Sequence, residues 1–461
     1  MTKPRILLVL FNDTAAKGIF DTTSIQSLAA SADLGLVHAM PIDADPHYFK
    51  RVYHWPRMPK RELPWLALYQ LHLMPFTRAH YPERLGDQNL WQGLPPFARR
   101  LLKLLDNRTG RALAVPFLKW ILTRTNPLPH LIEDSYDVIV CITGLKDPLY
   151  EDVVRLGRAR NVPVVAITQN WDNVNYKPIV ERPDMLGVWG MQGYYVARLL
   201  HGLPHQKLAP VGAARMDVYF KELPERSFAR RQMGLPEGRR ILLFAGAGPQ
   251  FEETSIIEQL HNAAADGRLP SDLLVLYKPH PKRAPRPHER PLDLTKLPNV
   301  RVIPPEGAGS VSLGRMPVLL RAVDAVASPY STLLLESALC GRPCLAIAYD
   351  DPAHPEIKWE TVRTYIHLIP LAFAQWALAC ADKERIVADV SKLLTLAGRG
   401  DLERRAREDA LHVLYNDSRD FGARVAAVAM RFVKDVDGEP AANADPSKSV
   451  VHDGYEIAGT R

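Results

Sequence analysis

Three short segments carry side chains suited to gripping a phosphate and moving a proton. In the first, the apolar run from Leu273 to Tyr277 ends in Lys278-Pro279-His280-Pro281-Lys282-Arg283. The two prolines stiffen the backbone around His280 and fix where its imidazole points. With Lys278, Lys282 and Arg283 beside it, that ring can clamp a mono- or diphosphate leaving group. A basic surface loop is the plainer reading, and the Ala-Pro-Arg-Pro-His-Glu-Arg that follows fits it.

In the second segment, Ala325 to Ala327 leads into Ser328-Pro329-Tyr330-Ser331-Thr332 and then a helical pattern through Cys340. Ser331 or Thr332 stands where a strand hands over to a helix, so it can cap that helix. Free N–H groups and the helix dipole at such a place attract phosphate. A cap without any ligand is the commoner use of these residues. Glu336, about one turn in, is a capping, solvated or ligand-binding carboxylate.

The third segment follows the apolar run Val162 to Thr168 and reads Gln169-Asn170-Trp171-Asp172-Asn173, with Lys177 shortly after. Asp172 can act as general base on an acceptor hydroxyl, with Asn170, Trp171, Asn173 and Lys177 positioning that acceptor. Asp and Asn also build turns by bonding their own backbone, which is the competing account. Asp13, directly after the first apolar run, is the rival base. Two glycine-bearing stretches complete the set. Gly212 to Asp217 places Arg215 within reach of a phosphate, and Gly246-Ala247-Gly248 permits close backbone approach. Neither a third glycine nor a Walker lysine follows, so this is no dinucleotide fingerprint. Asp350, Asp351, His354 and Glu356 surround Pro352 and Pro355 and read as a turn, so neither a metal nor another cofactor is expected.

Strands must aim these groups. Continuous apolar runs at Ile6 to Phe11, Gly35 to Met40, Asp137 to Thr143 and Val162 to Thr168 alternate with helical patterns, as in a parallel doubly wound sheet. A second series begins at Ile241 to Ala245 and continues through Leu273 to Tyr277, Val300 to Ile303, Ala325 to Ala327 and Pro343 to Ala348. The expected architecture is α/β, with two Rossmann-like doubly wound domains facing a central cleft. The first spans 1–214 with a basic, mostly helical insertion at about 50–125. A linker at 215–240 precedes the second domain, 241–434, whose last helix can cross back. The tail 435–461 has a disordered composition.

A chain of 461 residues is long enough for two cores. An apolar fraction of 47% and a charged fraction of 24% are those of a globular protein. No apolar run reaches the ~18 residues of a membrane span. The start reads as a first strand rather than a signal peptide. Four cysteines form no disulfide framework, and a cytosolic setting fits. The net charge is +7, yet residues 51–124 alone hold thirteen Lys or Arg against four acidic residues, interleaved with Trp55, Trp65, Trp91 and Trp120. Such a surface suits an anionic membrane face or acceptor, or is merely the solvated outside of a helical insertion. Nucleic acid is disfavoured, since no zinc spacing, RNA-recognition signature or helix-turn-helix is found.

Lys278-Pro279-His280-Pro281, the Ser328–Thr332 hydroxyl segment, Gly341-Arg342-Pro343 and Gly212 to Asp217 together resemble motifs of the GT-B glycosyltransferases. The similarity is to the bacterial surface-polysaccharide branch: CDP-glycerol glycerophosphotransferases, capsule Kdo transferases and sialyltransferases. It covers the second half well and the first only through Trp171-Asp172-Asn173. The resemblance implies that His280, Ser331 and Thr332 hold the phosphate of a nucleotide-activated donor; Lys278, Lys282, Ser328, Glu336, Arg215 and Gly246 are the further donor-binding candidates read from the residues themselves. It implies a metal-independent transfer of sugar from a CMP- or UDP-type donor to a cell-surface glycan or lipid-linked acceptor, in the cytoplasm or at the inner face of the plasma membrane. The chain lacks the Thr-His-Gly of the glycerophosphotransferases and the Asp-Asp-Gly of the sialyltransferases, so donor and base stay open. A glycerophosphotransferase, a sugar-nucleotide 2-epimerase and a non-catalytic peripheral membrane nucleotide-binding protein are the alternatives.

Overall fold

The computed structural model describes residues 3–39, 46–55, 59–81, 94–246, 252–280, 290–303, 314–351 and 365–433. Expectations placed on Trp91, Gly248, Lys282, Arg283, His354, Glu356 and the 435–461 tail fall outside these residues. The chain divides into two compact units. Unit 1 comprises residues 1–189, 194–211 and the chain from Arg419; unit 2 comprises 190–193 and 212–418.

Unit 1 is built on a seven-stranded sheet: β1 (Arg5–Leu10), β2 (Asp33–His38), β3 (Phe49–His54), β4 (Val138–Thr143), β5 (Val164–Thr168), β6 (Met185–Val188) and β7 (Leu208–Pro210). The order is β3-β2-β1-β4-β5-β6-β7, and every neighbouring pair is parallel. β4 and β5 are buried along their whole length, which is why they read as unbroken apolar runs rather than as alternation. β3 falls inside the segment expected to be helical; only its first residue, Phe49, is buried, so the sequence shows no apolar signal there.

The other elements among the described residues of the insertion are helices: Pro59–His80, Pro96–Leu105 and Arg108–Arg124. Leu71, Leu94, Ala98 and Leu102 form its core, with Ala114, Val115 and Leu118 packed against them. The corner between the last two helices needs Gly110, where a Cβ would lie 2.6 Å from the Leu105 carbonyl oxygen. A buried ion pair, Arg61 with Asp152, fastens the insertion to the helix Pro148–Arg160, and Lys119 with Glu181 at 3.0 Å fastens it to the loop before β6.

Unit 2 carries a six-stranded sheet: β8 (Arg240–Ala245), β9 (Leu273–Lys278), β10 (Val300–Val302), β11 (Ala325–Pro329), β12 (Cys344–Ile347) and β13 (Ala377–Cys380). Its order is β10-β9-β8-β11-β12-β13, again parallel throughout. The 215–240 stretch expected as a linker is part of this unit. It holds a 3-10 helix, Ala214–Phe220, and the helix Arg226–Gln232. Buried Asp324 locks it down, accepting from Arg226, from Arg230 Nη2 at 2.9 Å and from the Ile241 amide at 2.7 Å.

From Arg419 the chain is again part of unit 1. The helix Phe421–Ala429 lies so close on Ser24–Ser31 that a Cβ on Gly422 would sit 2.0 Å from the Ser24 carbonyl oxygen. Arg424 Nε donates to the Val211 carbonyl at 2.8 Å. All four cysteines are buried free thiols. Among the described residues no helix is long and apolar enough to cross a membrane.

Candidate functional site

Each sheet has one point where the strand order reverses, between β1 and β4 in unit 1 and between β8 and β11 in unit 2. Ligands of such sheets bind beyond the carboxyl ends of the strands at that point.

In unit 2 the register gathers residues far apart in sequence. Lys278 stands opposite Ala245, Phe244 opposite Ala327, and Ser328 opposite Ala346. Lys278 and Ser328 therefore flank the end of β8, with His280 two residues beyond β9. Ser331 occupies the cap position of the helix Thr332–Leu339 with extended φ and ψ of −156° and 167°, but its hydroxyl makes no capping bond. It lies instead 3.3 Å from the Ser328 hydroxyl. An N-terminus whose cap residue turns its hydroxyl aside differs from the plain cap that the sequence allows, and it leaves first-turn amides for another acceptor.

Glu336, half-buried, accepts from the Tyr219 hydroxyl at 2.5 Å. Burial raises its pKa, while Arg215, the Tyr219 bond and Lys278 pull the other way. Two cations from separate elements, the Ala214–Phe220 helix and β9, thus bear on one carboxylate. Tyr219 is buried and had no signal in the sequence, since its role depends on a partner over a hundred residues away.

Gly246 is different from the expectation. A Cβ there would lie 2.4 Å from both carboxylate oxygens of Glu253, a fully buried side chain that accepts from Tyr277 at 2.5 Å. Glu253 takes up the close approach that was reserved for a ligand. Asp351 likewise serves structure, accepting from the Glu252 amide at 2.7 Å. No cluster of three or more His, Cys, Asp or Glu suited to a metal occurs among the described residues.

In unit 1, Asn12 and Gln169 exchange two amide hydrogen bonds of 2.9 Å, joining the ends of β1 and β5. Asn12 also caps the helix Asp13–Phe20 through the Ala15 amide at 3.1 Å. Asp13 opens that helix beside the switch point. After β4, Leu145 has φ +62°, a left-handed conformation unusual for a bulky residue. The Thr143 hydroxyl accepts from its amide at 3.0 Å. Strain of this kind costs about 1–3 kcal/mol and is concentrated at functional sites.

The turn after β5 divides its residues between structure and site. Asn173 is fully buried and accepts from the Asn170 amide at 2.9 Å, and Trp171 is buried too, so both hold the turn instead of presenting a surface to an acceptor. The Asp172 carboxylate accepts from Asn173 Nδ2 at 3.2 Å and from the Tyr176 hydroxyl at 2.5 Å. Lys177 is only 7% exposed, and burial lowers its pKa, opposed by Asp172 and Asp147 and reinforced by Lys146. A Cβ on Gly144 would lie 3.8 Å from its ammonium and 3.9 Å from Gln169 Oε1. Lys177 therefore brings a positive charge to the end of β4, where Asn12, Gln169 and the strained Leu145 also meet.

No protein-family model and no curated protein matches the sequence. Solved structures do: a glycosyltransferase from Rickettsia africae ESF-5 aligns with 94% of this chain and 100% of its own, at 10% identity and a TM-score of 0.51. The chain has the GT-B fold. Weaker similarities include a UDP-GlcNAc 2-epimerase from Methanocaldococcus jannaschii, at 11% identity over 92% of this chain and 99% of that one, TM-score 0.47. The wall teichoic acid polymerase TagF aligns at 11% identity over 93% and 88%, TM-score 0.44. At such identities the GT-B likeness is one of architecture, and a fold by itself assigns no reaction.

Proposed function

We propose that this GT-B protein is a glycosyltransferase that uses a nucleotide-activated sugar of CMP or UDP type, with unit 2 binding the donor. The observation that carries this reading is the set Lys278, Arg215, Glu336 and the Ser328–Ser331 hydroxyl pair at the switch point of the unit 2 sheet. Cations, hydroxyls and helix amides suit the donor's phosphates, and Glu336 suits the ribose hydroxyls. His280 is the further donor to the leaving phosphate. Unit 1 takes the acceptor, a surface glycan or lipid-linked sugar, through Asn170, with the positive charge of buried Lys177 behind it.

In the reaction an acidic side chain takes the acceptor proton as the hydroxyl oxygen bonds to the donor's anomeric carbon. The bond from that carbon to the phosphate oxygen breaks, and the nucleotide leaves with the electron pair, its charge met by Lys278, His280 and the helix N-terminus. Asp172 and Asp13 are the two candidate bases. Both Asp172 oxygens already accept hydrogen bonds within its own turn, and Asp13 opens the helix that follows β1 at the switch point; we take Asp13 as the first candidate.

Calorimetry and thermal shift against CMP, CDP, UDP and GDP test the donor side, since a ligand of the folded state raises its stability. A shift with one diphosphate or monophosphate series is expected. With the donor in hand, labelled-sugar transfer is expected to fall by about 10²–10⁴-fold in Asp13→Asn and to survive in Asp172→Asn. The reverse pattern returns the base to Asp172. Isomerised donor without transfer product would replace the transferase reading by an epimerase.

A further inference from the structure

The insertion of unit 1 presents an apolar surface that the transfer chemistry does not use. On Pro96–Leu105 the outer residues Phe97, Leu101 and Leu104 are exposed, and on Arg108–Arg124 the same holds for Leu113, Phe117 and Trp120. Both triplets follow an i, i+4, i+7 spacing, so each is a stripe along one helix face. The adjoining faces, at Ala98 and Leu102 and at Ala114, Val115 and Leu118, fill the insertion's own core. The stripes are therefore not misplaced core. Leu104 and Leu113 are 74% and 71% exposed, and Phe117 stacks on Trp120 with centroids 6.1 Å apart.

The charge around them has one sign. Residues 94–125 contain seven Lys or Arg and a single acid, Asp106. That acid is already held by Arg78 and by Arg111 at 2.9 Å. Arg100, Lys103 and Arg108 are exposed between the apolar positions, and the Arg124 guanidinium lies 4.7 Å from the Trp120 ring centroid. Exposed Phe, Leu and Trp beside exposed cations on two short helices is the pattern of helices that lie in a bilayer interface.

We infer that these two helices dock unit 1 on an anionic lipid bilayer, burying both stripes at the headgroup level while the cations meet lipid phosphates. A second copy of the chain fits less well, because the facing surface would bring the same cations together.

The full chain is sedimented with vesicles of phosphatidylcholine alone and of phosphatidylcholine mixed with phosphatidylglycerol, without nucleotide. Docking is therefore measured independently of the transferase reading. Binding is expected only with the anionic vesicles, weakening as salt is raised. The paired variants Leu104→Ser with Phe117→Ser, and Arg100→Glu with Lys103→Glu, are each expected to bind at least ~10-fold more weakly with an unchanged melting temperature. Absence of binding, equal binding to neutral vesicles, or full binding by both variants overturns the inference. A wild-type dimer in analytical ultracentrifugation that the serine variant dissolves also overturns it, in favour of self-association.

Discussion

Glu151 is a buried carboxyl whose replacement should stabilise the protein in a pH-dependent way. It lies on the helix Pro148–Arg160 at 2% exposure, and its Oε2 makes no hydrogen bond among the described residues. Burial, and next the neighbouring Glu181, push its pKa from an ordinary 4.5 to about 8, while Arg155 and Lys119 act in the opposite direction. The folded state thus prefers the protonated acid. Its contribution to stability is complete below the unfolded pKa and is lost as the pH climbs through the folded one. A tenfold change in proton affinity corresponds to about 1.4 kcal/mol, so the loss is under about 1 kcal/mol near pH 5 and roughly 4–5 kcal/mol near pH 9. Glu151→Gln keeps the shape and removes the ionisation. Six of the eight tryptophans belong to unit 1, so urea unfolding followed by tryptophan fluorescence reports mainly on that unit. The variant should match the wild type near pH 5 and exceed it by several kcal/mol near pH 9. A difference that stays constant between those pH values refutes the reasoning, as does a variant less stable than the wild type at the higher one.

Two further outcomes are expected. Lys278→Ala should weaken binding of the nucleotide identified by calorimetry by about 10–100-fold, the usual scale of a lost charge-assisted hydrogen bond, while leaving the ligand-free melting temperature in place. Gly422→Ala drives a methyl group into the Ser24 carbonyl and should cost unit 1 about 1–3 kcal/mol in the same fluorescence assay.

The strands were legible where burial is complete. Ile6 to Leu10, Ile241 to Ala245 and Leu273 to Tyr277 are interior parallel strands, and such strands carry unbroken apolar runs. β3 and β13 lie at sheet edges with little burial, and nothing in their composition separates them from loop or helix. The supposed linker shows the limit of turn residues as a guide: its prolines and glycines are real, but Arg230 and Asp324 weld the segment into unit 2, and that pairing spans almost a hundred positions. The same holds at the site. Lys278 and His280 stood out by their local pattern, whereas Tyr219 and Glu253 matter through partners that only folding supplies. Gly246 announced a close approach without saying what approaches. The positive φ of Leu145 had no trace in its residue type, since leucine rarely adopts it.

The return of the chain to unit 1 at Arg419 sets an order for synthesis. Unit 1 begins first and is completed last, because the helix Phe421–Ala429 that covers Ser24–Ser31 is made only after all of unit 2. About 200 residues separate Val211 from Arg419, and at ~5–20 residues per second the ribosome needs roughly 10–40 s to make them. During that interval the nascent sheet of unit 1 has an uncovered helix flank while unit 2 is free to fold. Shortening the chain before Arg419 should therefore release a well-folded unit 2 attached to an aggregation-prone partner, even though the missing piece is about four hundred positions from the helix Ser24–Ser31 that it covers.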